Sequence, residues 1–235
     1  MKLALIDVKF KGKIELTAIA LNELKRYKTL AVYTTTQFNH GLKIILDQLK
    51  KNGNSVVTSQ PERTNREFQI LGCDVYHGNL KLKTDCDAYL YIGDGKFHPN
   101  ALLFEEIDKR HGERKPVFIF DPVYNKLENL KYETVEKVIK KEVANIKRFH
   151  FSQNVGVLIT TKPGQEHAHY VEKLKAKYKD KTFYAFFTDN LSFSEMENFP
   201  FIHCWVNTAC PRIGKEDILN TEMALINVEE VLKLQ

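Results

Sequence analysis

The sequence predicts an α/β protein of two similar domains, each a small mainly parallel sheet flanked by helices. Three observations predict it. Short runs rich in β-branched and aromatic residues alternate with amphipathic stretches of helical period, which is the pattern of βαβ units. The pattern restarts in the second half: VYTTTQ at 32–37 is echoed by LITTKP at 158–163, and YLYIG at 89–93 by HCWVN at 203–207. A length of 235 residues with 43% hydrophobic content is enough for one large or two small cores.

The elements follow in order. After an N-terminal segment, Leu16 to Tyr27 reads as a helix, and Thr29 to Thr35 (TLAVYTT) as a strand. Phe38 to Lys51 is amphipathic, with Leu42, Ile45, Leu46 and Leu49 at helical spacing and Asn52-Gly53-Asn54 closing it. Ser55 to Thr58 is a short strand. Asp87 to Ile92 is a buried-type strand, Asn100 to about Lys109 a helix, and Pro116 to Phe120 a strand stopped by Asp121-Pro122. Pro122 to Leu130 is polar and aperiodic, so the domains are expected over 1–125 and 126–235. A lysine-rich helix, Glu133 to Arg148, opens the second half. Strand Asn154–Thr161, helix Glu166–Tyr178, strands Thr182–Phe187, Phe201–Val206 and Ala224–Asn227, and a closing helix Val228–Leu234 complete it.

Composition narrows the class. The net charge of +5, from 35 basic and 30 acidic residues, is mild and requires no nucleic acid; it reads as a solvated basic surface. The first apolar run is broken by Asp7 and Lys9, unlike a signal peptide, and no stretch approaches the roughly 18 apolar residues of a membrane span. The expectation is a cytoplasmic protein without a membrane partner. Cysteines 73, 86, 204 and 210 in a reducing compartment then point to thiol chemistry or burial rather than disulfides.

The chemistry concentrates in loops at strand ends, where α/β proteins place ligands. Leu71-Gly72-Cys73-Asp74 presents a cysteine beside a glycine. Tyr91-Ile92-Gly93-Asp94-Gly95-Lys96-Phe97-His98-Pro99 empties a strand into a glycine loop carrying Asp94, Lys96 and His98. The Gly93-Asp94-Gly95 run matches neither a Walker loop nor a dinucleotide fingerprint. His98 is open to two readings, a ligand-binding or acid group and a structural residue. Trp205-Val206-Asn207-Thr208-Ala209-Cys210-Pro211-Arg212 again runs a strand into a cysteine loop, and Cys210-Pro211 resembles the Cys-Pro ends of iron–sulfur loops. Cys73 and Cys210 read as metal-binding or catalytic residues that the chain brings to one place, with buried thiols as the bland alternative. Cys204, in mid-strand, and Cys86 read as packing. There is no CxxC and no zinc-type quartet, and His167 and His169 stand two apart, off one helix face.

Together LGCD (71–74), YIGDGKFHP (91–99), TTKPGQ (160–165) and VNTACPRIG (206–214) resemble the diphthamide synthase family, the archaeal and eukaryotic 2-(3-amino-3-carboxypropyl)histidine synthases. The motifs stand in the family's order across nearly the whole chain, and TACPRI is the most specific of them. The resemblance implies α/β domains that each contribute one cysteine to a 4Fe-4S cluster, three thiolates in all, with S-adenosyl-L-methionine at the open iron. It implies reductive cleavage to a 3-amino-3-carboxypropyl radical, with an external electron donor, and addition of that group to a histidine of elongation factor 2. Carried over by position, Cys73 matches the ligand of the family's middle domain and Cys210 that of its last. Gly93, Asp94, Gly95, Lys96 and His98 would shape the cofactor pocket, and Arg212 would pair with the methionyl carboxylate.

The family's first domain has no counterpart here, and the chain begins about where the middle domain does, with Met1 read as a genuine start. Two of three expected ligands are present. Either a separate first-domain polypeptide completes the enzyme, or Cys86, Cys204 or a homodimer partner supplies the third thiolate, or the chain is a non-catalytic partner subunit that binds elongation factor 2 or a partner synthase. Apart from the resemblance, a generic α/β small-molecule-binding protein also fits.

Overall fold

The computed structural model describes residues 6 and 8–234, apart from 75, 77, 108, 110 and 163. The chain divides into two compact units, Met1–Val135 and Glu136–Gln235.

Unit 1 runs α1 (Ala18–Leu24), β1 (Thr29–Thr34), α2 (Leu42–Lys51), β2 (Ser55–Val57), β3 (Ala88–Ile92), α3 (Asn100–Glu105), β4 (Val117–Asp121) and β5 (Lys126–Asn129). Its sheet has the order β2-β1-β3-β4-β5. The first four strands are parallel and β5 is antiparallel to β4. One face of the sheet, with Leu30, Val32, Leu90, Ile92, Phe118 and Phe120, packs on Ala20 and Leu24 of α1 and on Leu42, Ile45 and Leu49 of α2. Gln48 pins the N-terminal segment to α2, accepting from Leu16 N at 2.7 Å and donating to Leu16 O at 3.0 Å.

The stretch read as a boundary holds β5. Its sequence, KLEN, has one apolar residue, Leu127, which packs against the core beside Phe120. An edge strand needs only one apolar face and a ladder partner, so its polar character concealed it.

α4 (Glu133–Phe151) spans the division between the units. Unit 2 continues with β6 (Asn154–Thr160), α5 (His169–Lys177), β7 (Thr182–Thr188), α6 (Phe193–Met196), β8 (Cys204–Asn207), β9 (Leu225–Asn227) and α7 (Val228–Lys233). All strands are parallel, in the order β7-β6-β8-β9. This is the order of the four parallel strands of unit 1, with β6 in the place of β1 and β8 in the place of β3. The echoed segments VYTTTQ and LITTKP, and YLYIG and HCWVN, therefore occupy equivalent strands. Val155, Val157, Ile159, Cys204 and Val206 face the core formed with Phe149, Val171, Leu174 and Val231. On the other face Trp205 is 2% exposed, and its ring lies 4.7 Å from that of Phe186. Among the described residues no helix is long and apolar enough to cross a membrane.

Trp205 fits because its neighbour across the sheet is Gly156. A Cβ there would fall 2.4 Å from a ring carbon of Trp205. Gly156→Ala is therefore expected to destabilise unit 2 by about 1–3 kcal/mol through overpacking. A lower urea midpoint with an unchanged slope is the outcome that checks it.

Candidate functional site

Both sheets have the doubly wound order in which the chain leaves the first strand toward one side and returns on the other. The crevice between the diverging ends is the expected ligand site. In unit 1 that crevice lies between β1 and β3, in unit 2 between β6 and β8.

The Cys73 loop is delivered to the first crevice by main-chain bonds. Thr34 N donates to Phe68 O at 2.6 Å, Ile70 N donates to Thr34 O at 3.0 Å, and Gln69 pairs in parallel with Thr34. The turn then closes on itself. Asp74 N donates to Leu71 O at 3.0 Å, and Leu71 N donates to Asp74 Oδ2 at 2.9 Å. Asp74 is buried, and desolvation pushes its carboxyl above the ordinary range. Gly72 N donates to His98 Nδ1 at 3.0 Å. His98 thus braces the Cys73 turn, and a ring nitrogen that accepts leaves the proton on Nε2.

The rest of the glycine loop looks elsewhere. Gly93 has φ of +154°, and a Cβ on it would stand 2.6 Å from the Tyr91 hydroxyl, so close approach demands glycine. Asp94, Gly95 and Lys96 are exposed. Lys96 Nζ pairs with Glu128 Oε1 of β5 at 2.6 Å, which holds the Glu128 carboxyl below its ordinary range. Gly95, Lys96 and Glu128 line a cleft of about 420 Å³ with Ile119, Asp121 and Tyr124.

In unit 2 the Cys210 loop leaves β8 under a denser set of restraints. Thr208 donates to Leu158 O from its N at 3.1 Å and from its Oγ1 at 2.8 Å. The Asn207 side chain accepts from Ala209 N at 3.1 Å and donates to Cys210 O at 2.9 Å and to Asn227 Oδ1 at 2.7 Å. Asn227 of β9 donates to Pro211 O at 2.7 Å. Both asparagines are buried. Gly214 lies against Asn227, where a Cβ would come 2.1 Å from Oδ1. Arg212 is buried and forms an ion pair with Glu216, the residue one helical turn on. A small cavity of about 50 Å³ at the end of β6 is lined by Lys162 and Gln165 of TTKPGQ and by Asn207, Ala209 and Ile213 of VNTACPRIG. Two of the quoted motifs thus meet at one crevice. Pro163 of TTKPGQ lies outside the described residues.

The four thiols divide by environment. Cys73 and Cys210 are half-buried in turns, Cys86 and Cys204 are buried, and none is in a disulfide. Burial pushes the Cys204 thiol up to about 12 and raises that of Cys86, against the opposing effect of Lys115. The thiolate is the metal ligand and nucleophile, so burial makes Cys86 and Cys204 poor candidates for either role. Among the described residues no three His, Cys, Asp or Glu side chains gather as a metal site. Each loop thiol, taken in its own unit, is a soft donor of the kind an iron–sulfur cluster takes, in a turn held by its own hydrogen bonds.

The family model of diphthamide synthesis proteins matches residues 2–232. The chain belongs to that family. The 2-(3-amino-3-carboxypropyl)histidine synthase of Methanocaldococcus jannaschii is 26% identical over 199 residues, covering 80% of this chain and 54% of that protein. The synthase of Pyrococcus horikoshii is 28% identical over 202 residues, covering 84% and 54%. The chain thus spans about half the length of these relatives. A crystal structure of Dph2 from Pyrococcus horikoshii with a 4Fe-4S cluster matches with a TM-score of 0.73 at 24% identity, covering 97% of this chain and 65% of that one. That likeness establishes the fold.

Several residues that shape the loops escaped the sequence. Asn207 lies inside a quoted motif, and a buried-type asparagine at a strand end before a cysteine was its signal. Gly214 closes the same motif, and Asn227 and Glu128 gave no signal, because their partners are remote in sequence.

Two outcomes are expected. At about pH 8 iodoacetamide labels the half-buried Cys73 and Cys210 in the folded chain and spares Cys204, whose thiolate fraction is on the order of a thousandfold below that of an ordinary thiol; peptide mass spectrometry checks this. Asn227→Ala strands the Pro211 carbonyl and one amide bond of Asn207, costing about 1–3 kcal/mol in a denaturant titration.

Proposed function

We propose that the chain is part of a 2-(3-amino-3-carboxypropyl)histidine synthase, transferring the 3-amino-3-carboxypropyl group from S-adenosyl-L-methionine to a histidine of elongation factor 2 by a radical mechanism. The observation that carries this reading is the division of the thiols. The two half-buried cysteines stand in braced turns at the doubly wound crevices, and the resemblance assigns these two as the ligands.

Cys73 and Cys210 would supply two thiolates to a 4Fe-4S cluster. Such a cluster, when bound, supplies the electron for cleavage of the sulfonium bond. The chain's own residues do the positioning. The His98–Gly72 and Asp74–Leu71 bonds hold the Cys73 turn, and the asparagine pair holds the Cys210 turn. Arg212, buried and ion-paired with Glu216, is the residue that would meet the methionyl carboxylate. The third thiolate comes from a separate first-domain polypeptide, and an external electron donor completes a cytoplasmic system. A second reading, a non-catalytic partner subunit, is favoured by the engagement of Lys96 by Glu128 and of Arg212 by Glu216.

The test is anaerobic reconstitution with iron and sulfide, counting both per chain and recording the spectrum of the reduced sample. The chain mixed with the first-domain polypeptide is expected to hold four irons, and Cys73→Ala or Cys210→Ala to abolish this. Iron content indifferent to both substitutions would sink the ligand assignment. No cluster in any mixture would leave the partner-subunit reading.

A further inference from the structure

The Cys210 loop ends on a charge cluster buried inside unit 2. Lys215 is 4% exposed. Its Nζ lies 3.0 and 2.9 Å from the two carboxylate oxygens of Glu142 and 2.8 Å from Glu230 Oε1. Glu142 belongs to α4 and Glu230 to α7, so one ammonium ties the loop to two helices. Lys215 and Glu142 act on Glu230, and Glu230 and Glu142 act on Lys215.

One cation between two buried carboxylates leaves a negative charge in excess if all three ionise, which is costly away from water. Keeping a proton relieves the cost. Burial, with repulsion from Glu142, pushes Glu230 up to about 8 against the pull of Lys215. Near neutral pH the cluster is then uncharged overall; above about pH 8 it carries one net negative charge.

The cluster is joined to Cys210 through the main chain. Ile213 N donates to Cys210 O at 3.0 Å, Lys215 N donates to Arg212 O at 3.1 Å, and Glu216 N donates to the same carbonyl at 2.9 Å. The segment from Cys210 to Glu216 is one hydrogen-bonded turn, clamped at its start by Asn207 and Asn227 and at its end by Lys215. An apolar trio of similar volume would stabilise the fold as well or better. What the charged trio adds is a single geometry for the loop and a dependence on protons.

We propose that Lys215, held between Glu142 and Glu230, is a positioning residue for Cys210, and that the protonation of this cluster sets how firmly the Cys210 loop is held. Its functional meaning rests on Cys210 being a thiolate ligand; the anchoring itself does not.

The sign follows from the raised carboxyl. Between the ordinary carboxylate range and about pH 8 the folded chain keeps a proton that the unfolded chain has released. The associated stability is fully present below the ordinary range and is lost as pH rises to about 8. Ionised Glu230 then repels Glu142 and loosens the loop between them.

The experiment uses the chain without iron. Amide hydrogen exchange is followed from about pH 6 to about pH 9.5, corrected for intrinsic rates, with the loop peptide 209–217 read against β3 of unit 1. Alkylation of Cys210 relative to Cys73 is measured in the same samples. In the wild type, loop protection is expected to step down about tenfold or more between about pH 6 and about pH 8 and to stay level above it, and the alkylation ratio to rise, while β3 stays constant. Glu230→Gln, which fixes the neutral form, is expected to remove the step. The apolar triple Lys215→Met, Glu142→Leu, Glu230→Met is expected to keep its melting temperature and lose loop protection at every pH. A wild-type profile without a step overturns the proposal whether or not any variant folds, and so does a step that survives in Glu230→Gln. Because no iron is used, either result is independent of whether the chain holds a cluster.

Discussion

A buried hydroxyl closes each crevice, and the cysteine loops depend on it. Where the strands of a doubly wound sheet diverge, the last carbonyls run out of ladder partners, and an unpaired buried carbonyl is costly. In unit 1 Thr34 Oγ1 donates across the gap to Ile92 O at 2.7 Å. In unit 2 Thr208 Oγ1 donates to Leu158 O at 2.8 Å. The hydroxyl comes from the first strand in one unit and from beyond the third in the other, yet the pair of strands is the same. Each bond fixes how far the two strand ends separate. The backbone of Thr34 then receives the segment leading to Cys73, and the residue after Thr208 begins the turn that holds Cys210.

The two loops reach the same kind of place by different routes. Cys73 arrives on the connection before β3, and Cys210 on the connection after β8. The shared strand order does not extend to the cysteines, which are not equivalent in the repeat. What the loops share is the physical setting. Each thiol sits half-buried at the carboxyl edge, on a turn pinned by several bonds to its amides and carbonyls. The means differ: an aspartate and a histidine in unit 1, two asparagines and an ion-paired lysine in unit 2.

The sequence disclosed what depends on near neighbours. The β-branched and aromatic runs at 29–35, 116–120 and 154–161 are strands, and the spacing of Leu42, Ile45 and Leu49 is the buried side of α2. Cys204 is core, as its place between strand residues suggested. It concealed what depends on distant pairing. β5 exists because β4 offers it a ladder, not because KLEN favours a strand. Lys96 reads as a loop cation but is engaged by Glu128 of β5, and Arg212 by Glu216. Lys215 is an ordinary lysine until Glu142 and Glu230 close on it.

Polar restraint is an expensive way to hold a loop, and that expense bears on function. Apolar packing of the same volume would stabilise either unit at least as well, because a buried amide or charge must recover its lost hydration before it contributes anything. What packing lacks is direction. A carbonyl held by an asparagine fixes the plane of its peptide, and the neighbouring side chain leaves the backbone at a set angle. For a thiol meant only to fill space that angle is immaterial, as at Cys204, which sits in a purely apolar cluster. For a thiol meant to meet a metal, an angle set beforehand spares the ordering cost at the moment of binding. Side-chain bonds to the main chain gather at the turns of Cys73 and Cys210, whereas Cys204 is held by the strand ladder alone, which is the distribution expected if those two loops must be aimed.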